Sequence, residues 1–441
     1  MATAIPPARV SIYPILTVNF VGTLGFSIVL PFLVYLVTRL GGNALIYGAM
    51  GATYSVFQLI GAPVLGRWSD RVGRKRILLL SQLGTLASWG IFLVALLLPV
   101  RTMVEIDSRF LGAFTITVPL LVLFLARALD GLTGGNVSVA NAYLADITPE
   151  AERGATFGKM AVAANFGFIV GPALAGLLGA TAMGETLPVL AAFAISLIAA
   201  VLIAAALPDP PTSPITSDPE RTNVSQVLGP DQKECFRIKC PQQPSGLSIL
   251  RLPGISLILT IQFFVFLAFN VFYIAFPVHA ATTIAWSLTQ VGIFFSALGF
   301  MMAMVQGPVL SWAAKHWSDR VLVLLGSGLL AMSFGFFTVN DTFAIYTGAA
   351  FLALGNGLMW PSLLAILSKA ADSSVQGAVQ GFAGSSAAVA SILGLVVGGF
   401  LYGFLEARVF ILAAVLTGAV LLLAFALPQA RPSQAVVKEA V

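Results

Sequence analysis

About twelve stretches of predominantly apolar residues, each long enough to cross the hydrocarbon core of a bilayer, dominate this chain. They fall at 12–37, 46–66, 77–99, 118–146, 155–180, 186–207, 254–281, 288–313, 320–339, 342–369, 376–403 and 408–427. A helix needs roughly 20 such residues to span the lipid tails. In that medium every backbone N–H and C=O must find its partner inside the segment, so helices are the expected form. The short alternating strands of outer-membrane barrels read differently. With 58% hydrophobic and 9% charged residues among 441, and a mean hydropathy of +0.95, too little polar surface exists to clothe a soluble globule of this size. Only Arg9 precedes the first apolar run and no small-residue cleavage site follows it, so a retained helix is expected, not a signal peptide.

Lysine and arginine sort by side. If both termini share a compartment, eighteen of the 23 basic residues lie there, while Arg39, Arg101, Arg109 and Arg408 lie opposite and Arg127 is within the membrane. The positive-inside rule then places both termini in the cytoplasm, and an inner (cell) membrane is the expected location. The net charge of +5 reports this topology and attraction to anionic lipid, with no nucleic-acid partner implied.

Arg127 and Asp130 stand one helical turn apart inside the fourth run, where ionisable groups are costly and usually mark a substrate or ion pathway. On one helix face, Asp130 can stay ionised beside the guanidinium or take a proton when the partner moves away. A buried structural ion pair is the alternative. The segment 208–252, opening Pro208-Asp209-Pro210-Pro211, is rich in polar residues and divides the runs six and six. Its Cys235 and Cys240 have no nearby histidine, so two free thiols are expected and no metal site. Gly131, Gly134, Gly135 and Asn136 find counterparts in Gly355, Asn356, Gly357 and Pro361, as Gly171 and Gly176 do in Gly394, Gly398 and Gly399. An offset of about 222 residues relates both sets, which supports an internal duplication.

Between the second and third runs the chain reads Gly66-Arg67-Trp68-Ser69-Asp70-Arg71-Val72-Gly73-Arg74-Lys75-Arg76. This resembles the G-x-x-x-D-R-x-G-R-K/R signature of the major facilitator superfamily. The resemblance implies an all-α membrane protein of twelve transmembrane helices in two pseudo-symmetric six-helix bundles. Residues 1–207 and 253–430 would form the bundles, 208–252 a cytoplasmic linker and 431–441 a cytoplasmic tail. It also implies a conformational latch at Gly66, Asp70, Arg71, Gly73, Arg74 and Lys75. The corresponding second-half positions, Ser311, Lys315, Ser318, Asp319 and Arg320, are degenerate, so an asymmetric latch is expected.

Arg127 through Gly131 resembles the R-x-x-x-G pattern of proton-coupled members, which carries a coupling role onto Arg127; Asp130 is added as its protonatable partner. Gly158, Gly167, Gly171, Pro172 and Gly176 resemble the glycine-rich signature of antiporter branches, and small residues at these spacings let helix backbones pack closely. Together the segments resemble the drug/proton antiporter branch, the tetracycline-exporter-like group in particular. That group carries membrane aspartates where this chain has Asn19, Ser88 and Leu330.

The family fold implies a central chamber, with Asn19, Gln58, Asn136, Asn165, Gln262, Asn270, Tyr273, Gln306, Asn356 and Trp360 as candidate lining. Neutral amides and aromatics suit a mostly apolar compound. Phe263, Phe264, Phe266, Phe269 and Phe272 are expected to pack, His279 and His316 to be solvated at helix ends, and Asp146 to be a helix-end carboxylate. The expectation is a monomeric exporter of a small amphipathic compound, driven by protons, without cofactor or catalytic residues. A facilitator or symporter for a sugar or carboxylate is the alternative. A membrane enzyme would need a reactive constellation, and no such motif stands in the sequence.

Overall fold

A computed structural model describes residues 11–134, 136–148, 152–208, 250, 254–370 and 376–427. The side chains of residues 30, 70, 136–138, 153–155 and 376–378 also fall outside the described set, as do Cys235, Cys240 and nearly all of the polar 208–252 segment. Twelve helical spans are present among the described residues. The first comprises α1 (Tyr13–Ser27) and α2 (Val29–Arg39), followed by α3 (Ala44–Val72) and α4 (Arg74–Leu97). The fourth is split into α5 (Val118–Thr133) and α6 (Asn136–Ile147), and α7 (Arg153–Gly179) and α8 (Thr186–Ala206) complete the first half.

The second half holds α9 (Ile255–Thr282), then α10 (Leu288–Met304) joined through a wider π turn at Val305–Val309 to α11 (Leu310–His316). After it come α12 (Asp319–Phe336), α13 (Thr342–Ala370), α14 (Gln376–Leu405) and α15 (Val409–Ala424). Ten stretches are individually long and apolar enough to cross a membrane. The fourth span misses that test because neither half-helix is long enough alone, and the last two spans run together through a short turn at Glu406–Arg408.

Local chemistry sets the boundaries. Asn43 caps α3 by accepting from Ile46 N–H, and Ser287 and Gln290 form a reciprocal capping box at α10. The motif between the second and third spans is not a loop: residues through Val72 are helical, and the reversal is made by Gly73 alone, at φ 107°. Only glycine adopts that backbone freely, so the basic motif is carried on two helix ends.

One strand pair departs from the helical expectation. β1 (Thr102–Ser108) and β2 (Gly112–Thr117) pair antiparallel between α4 and α5. The hairpin is tied to the turn after α2 by Thr115 N–H donating to Gly41 O at 2.8 Å and by Asn43 Nδ2 donating to Leu111 O at 2.9 Å.

The two halves meet at the end of the bundle far from the 208–252 segment. There Tyr35 Oη donates to Trp286 O at 2.6 Å and Thr289 Oγ1 to Gly176 O at 2.9 Å. Gly48 packs on Leu395 and Gly399 so closely that a Cβ would fall 2.3 Å from Leu395 O. At the other ends of the same interface helices, nothing lies within 4 Å of a Cβ built on Gly66, Gly158, Gly307 or Gly381. Among the described residues the halves therefore pack closely at the far end, and these four glycines at the ends nearest Pro208 and Gly254 meet no neighbour.

Histidine 279 corrects the sequence reading. It is fully buried, with Nδ1 3.1 Å from Tyr402 Oη and Nε2 2.9 Å from Asn340 Oδ1. Helices from distant parts of the chain cover this helix end, and Phe410 packs edge-on against the ring at 5.7 Å. His316 is exposed as expected, its Nδ1 2.9 Å from Trp312 O.

Candidate functional site

The fourth span is broken where its charged pair lies. α5 stops at Thr133 and the chain turns at Gly134, so Arg127 and Asp130 occupy the last two turns of a half-helix. Arg127 Nη1 is 3.1 Å from Asp130 Oδ2, with side-chain exposures of 6% and 11%. The guanidinium also sits over the Tyr54 ring, 4.6 Å from its centroid, a contact contributing about 0.5–2 kcal/mol. Its Nε has no hydrogen-bond partner among the described residues. Both charges are turned into the first bundle, away from lipid.

Close approach of α3 to α5 holds this turn in place. A Cβ on Gly61 would fall 2.0 Å from Leu132 O, and one on Gly131 would fall 2.3 Å from Tyr54 O, so side chains larger than glycine would force these backbones apart. Gln58 Nε2 then donates to Gly134 O at 3.2 Å and to Tyr54 Oη at 3.1 Å, pairing a carbonyl at the break. From α4, Ser88 Oγ donates to Ala126 O at 2.7 Å, and Ser81 donates to Thr133 O.

Asp130 borders a partly open cavity of about 280 Å³ lined by residues from all six spans of the first half. Its polar lining includes Asn19, Tyr54, Gln58, Gln82, Thr85 and Ser196, with Phe26, Trp89 and Phe168 among the apolar walls. Of the candidate lining residues, Asn19 and Gln58 border this cavity, and Asn19 Nδ2 also donates to Met160 O at 3.0 Å. Asn165 is half-buried on α7 outside the lining, and the Asn136 side chain is outside the described set.

Second-half candidates are engaged elsewhere or stand apart from that cavity. Gln262 Nε2 donates to Ala383 O at 3.2 Å, and Asn270 Nδ2 donates to Phe266 O at 2.8 Å and Ser391 Oγ at 3.0 Å. Trp360 meets Phe266 edge-on at 5.0 Å, and Tyr273 meets Phe269 at 4.8 Å. Gln306 lies in the π turn, and it and Asn356 are half-buried.

Sequence reasoning missed Tyr54, Gln82, Thr85 and Ser196. The family plan sets the third and sixth spans, which carry Gln82, Thr85 and Ser196, outside the central chamber; Tyr54 lies on the second span, four residues before the candidate Gln58. Gln82 and Ser196, neutral polar groups deep in apolar runs, were the available signal. Gln82 Nε2 donates to Ser196 O at 3.2 Å and to its Oγ at 3.0 Å.

In the basic motif, Arg74 Nε is 2.9 Å from Asp146 Oδ2, and Arg74 Nη1 donates to Ser69 Oγ at 2.7 Å. Asp146 is thus an ion-pair partner as well as a helix-end carboxylate. Arg71 is exposed, Lys75 is half-buried, and the Asp70 side chain is outside the described set. The second half holds the equivalent pair with its signs exchanged: Lys369 Nζ lies 2.6 Å from Asp319 Oδ2.

The glycines of α7 form two contact faces. Gly167 and Gly171 meet α1, where a Cβ on Gly171 would fall 2.0 Å from Ser27 Oγ, and Ser27 Oγ donates to Gly167 O at 2.9 Å. Gly176 meets α10 of the other half at Thr289 and Gly292. Pro172 is accommodated within a continuous α7. Among the described residues no cluster of His, Cys, Asp or Glu could hold a metal ion.

A family model described as Major Facilitator Superfamily matches residues 15–261 and 258–440. The class E tetracycline resistance protein of Escherichia coli is 28% identical over 393 residues, covering 88% of this chain and 86% of that protein. Multidrug resistance protein 1 of Bacillus subtilis (strain 168) is 26% identical over 397 residues, covering 88% of each. The solved structure of the human organic anion transporter TETRAN superimposes with a TM-score of 0.63 at 20% identity, covering 95% of this chain and 100% of that one. A D-xylose–proton symporter gives a TM-score of 0.70 at 13% identity, covering 95% and 98%. These two likenesses concern the fold.

Proposed function

The chain belongs to the major facilitator superfamily of secondary transporters, and from that premise we propose that it exports a small amphipathic, drug-like compound in exchange for protons. It is an integral, multi-pass membrane protein and not an enzyme. In this reading both termini are cytoplasmic, and the linker end faces the cytoplasm to receive substrate between the halves. Alternating access follows from rocking of the halves about the glycine-rich contacts of α3, α7, α10 and α14.

One observation carries the coupling: a buried Arg127–Asp130 pair 3.1 Å apart whose acid borders a cavity with amide and hydroxyl side chains in its wall. An ionised Asp130 holds Arg127. A protonated one holds it less strongly, so proton binding biases the helix break beside it. The names of the relatives, tetracycline and multidrug resistance proteins, favour export.

The test is purified protein in proteoliposomes with a panel of dyes, antibiotics and metabolites under an imposed pH gradient. Asp130→Asn should abolish gradient-driven flux while leaving substrate counterflow. Driven flux unchanged in that variant overturns the coupling, and flux indifferent to the gradient in the unmodified protein points to a facilitator.

A further inference from the structure

We propose that the cavity inside the first six spans is a hydrated vestibule that delivers protons to Asp130, kept wet by Gln82, Thr85 and Ser196. Its use in transport rests on the proton-exchange reading above; its hydration does not.

The cavity's size and chemistry both require water. At about 280 Å³ it far exceeds the roughly 30 Å³ share of a single water in the liquid. Empty cavities in proteins are apolar, and water occupies those that offer each molecule two to four polar partners. Here Asn19, Gln58, Gln82, Thr85 and Ser196 supply amides and hydroxyls around Asp130. Gln82 directs its amide nitrogen to Ser196, and among the described residues nothing donates to its Oε1. That oxygen is left to accept from water.

Charge placement points the same way. Asp130 and Tyr54 are the titratable side chains in the lining; α1, α4, α7 and α8 add none, and Arg127, on Asp130's own helix, stays in the wall. The carboxylate thus stands between a fixed cation and the water-lined space. A proton arriving along the water chain bonds to the carboxylate oxygen, Arg127 keeps its own protons, and the attraction between them weakens. On release the proton returns to water. Gln82 and Thr85 belong to α4 and Ser196 to α8, helices that pack within the first half, while α3, α7, α10 and α14 carry the contact with the second. Tyr54 and Gln58 of α3 and Phe168 of α7 wall the vestibule on the side of the second half, and every residue of its lining belongs to the first half.

Infrared spectroscopy of the full-length protein in liposomes tests this without a substrate. A protonated-carboxyl band absent from Asp130→Asn should appear on acidification and shift within the mixing time in heavy water. In Gln82→Leu/Ser196→Val the shift should slow about fivefold, the effect expected when one hydrogen bond of about 1 kcal/mol is removed from the chain. Exchange at the unmodified rate, or no Asp130-dependent band at any pH where the helices persist, overturns the proposal.

Should that double variant fail to fold, cysteine labelling decides. With Cys235 and Cys240 replaced by serine, Thr85→Cys should react with a small water-soluble thiol reagent, and Ser88→Cys, whose native hydroxyl is tied to Ala126 O outside the lining, should not. Equal labelling, or none at position 85, overturns it. Fast exchange without driven flux in the unmodified protein removes the antiport reading alone, whereas slow exchange with driven flux removes the vestibule alone.

Discussion

Breaking the Arg127–Asp130 pair from its two ends should cost unequal amounts. With side-chain exposures of 6% and 11%, each charge depends on the other, and removing one partner of a buried pair typically costs about 3–5 kcal/mol. Asp130→Asn leaves a guanidinium that cannot shed its proton, and its contact with Tyr54, present before the substitution, offsets none of that loss. Arg127→Met leaves a carboxyl that can become neutral by binding a proton. Doing so at neutral pH costs at most about 4 kcal/mol, from roughly three pH units at about 1.4 kcal/mol each. That cost falls with every unit of acidification. In this variant the folded state binds more protons than the unfolded one, so its stability declines as pH rises. Asp130→Asn has no such escape. The double variant Arg127→Met/Asp130→Asn buries no charge and should lie within about 2 kcal/mol of the unmodified protein. Equilibrium unfolding in mixed micelles at two pH values measures all four proteins. Additive single effects, or an Arg127→Met penalty indifferent to pH, would refute the reasoning.

Gly61→Ala should lower unfolding stability by about 1–3 kcal/mol, because its Cβ would fall 2.0 Å from a backbone oxygen that no rotamer change can move. Gly66→Ala, five residues along the same helix and with nothing within 4 Å, should stay within about 0.5 kcal/mol; equal losses for the two in thermal melts would contradict the crossing described. His279→Ala removes two hydrogen bonds made by a fully buried ring, while the Tyr402 hydroxyl keeps Thr283 as a partner and the exposed Asn340 turns to water, so the loss should be about 1–3 kcal/mol at about 0.5–1.5 kcal/mol for each bond. A melting temperature equal to that of the unmodified protein would place the ring in solvent after all.

The helical spans were legible because lipid admits few backbone solutions, so apolar length alone nearly dictates them. Interruptions were not. The run 118–146 reads as one helix by composition, yet it divides at Gly134, where contacts with Tyr54 and Gln58 from another helix receive the turn. His279 failed for a similar reason. Its position near the end of an apolar run suggests water, but its partners lie 123 and 61 residues away in the chain, and only the assembled bundle brings them over it. The cavity around Asp130 is likewise a product of six helices, and Gln82 has meaning only once Ser196, 114 residues distant, stands opposite.

The two basic motifs carry the same lesson in the language of charge. By sequence the second-half copy has lost its glycines and holds Asp319 where the first has Arg74, and a pattern match discards it. In space, Arg74 at the start of α4 pairs with Asp146 at the end of α6, and Asp319 at the start of α12 pairs with Lys369 near the end of α13. Duplication has preserved a bridge between two helix ends while exchanging which end holds the cation. The exchange is not neutral. A helix N-terminus carries about half a positive charge, so Asp319 and Lys369 both oppose the sign of their helix ends, whereas Arg74 and Asp146 both match theirs. The first-half bridge is therefore held against its helix dipoles, and the second-half bridge with them. Such partly exposed pairs contribute at most about 1 kcal/mol, and helix-end effects of about 0.3–1 kcal/mol are large enough on that scale to make the first bridge the easier one to open.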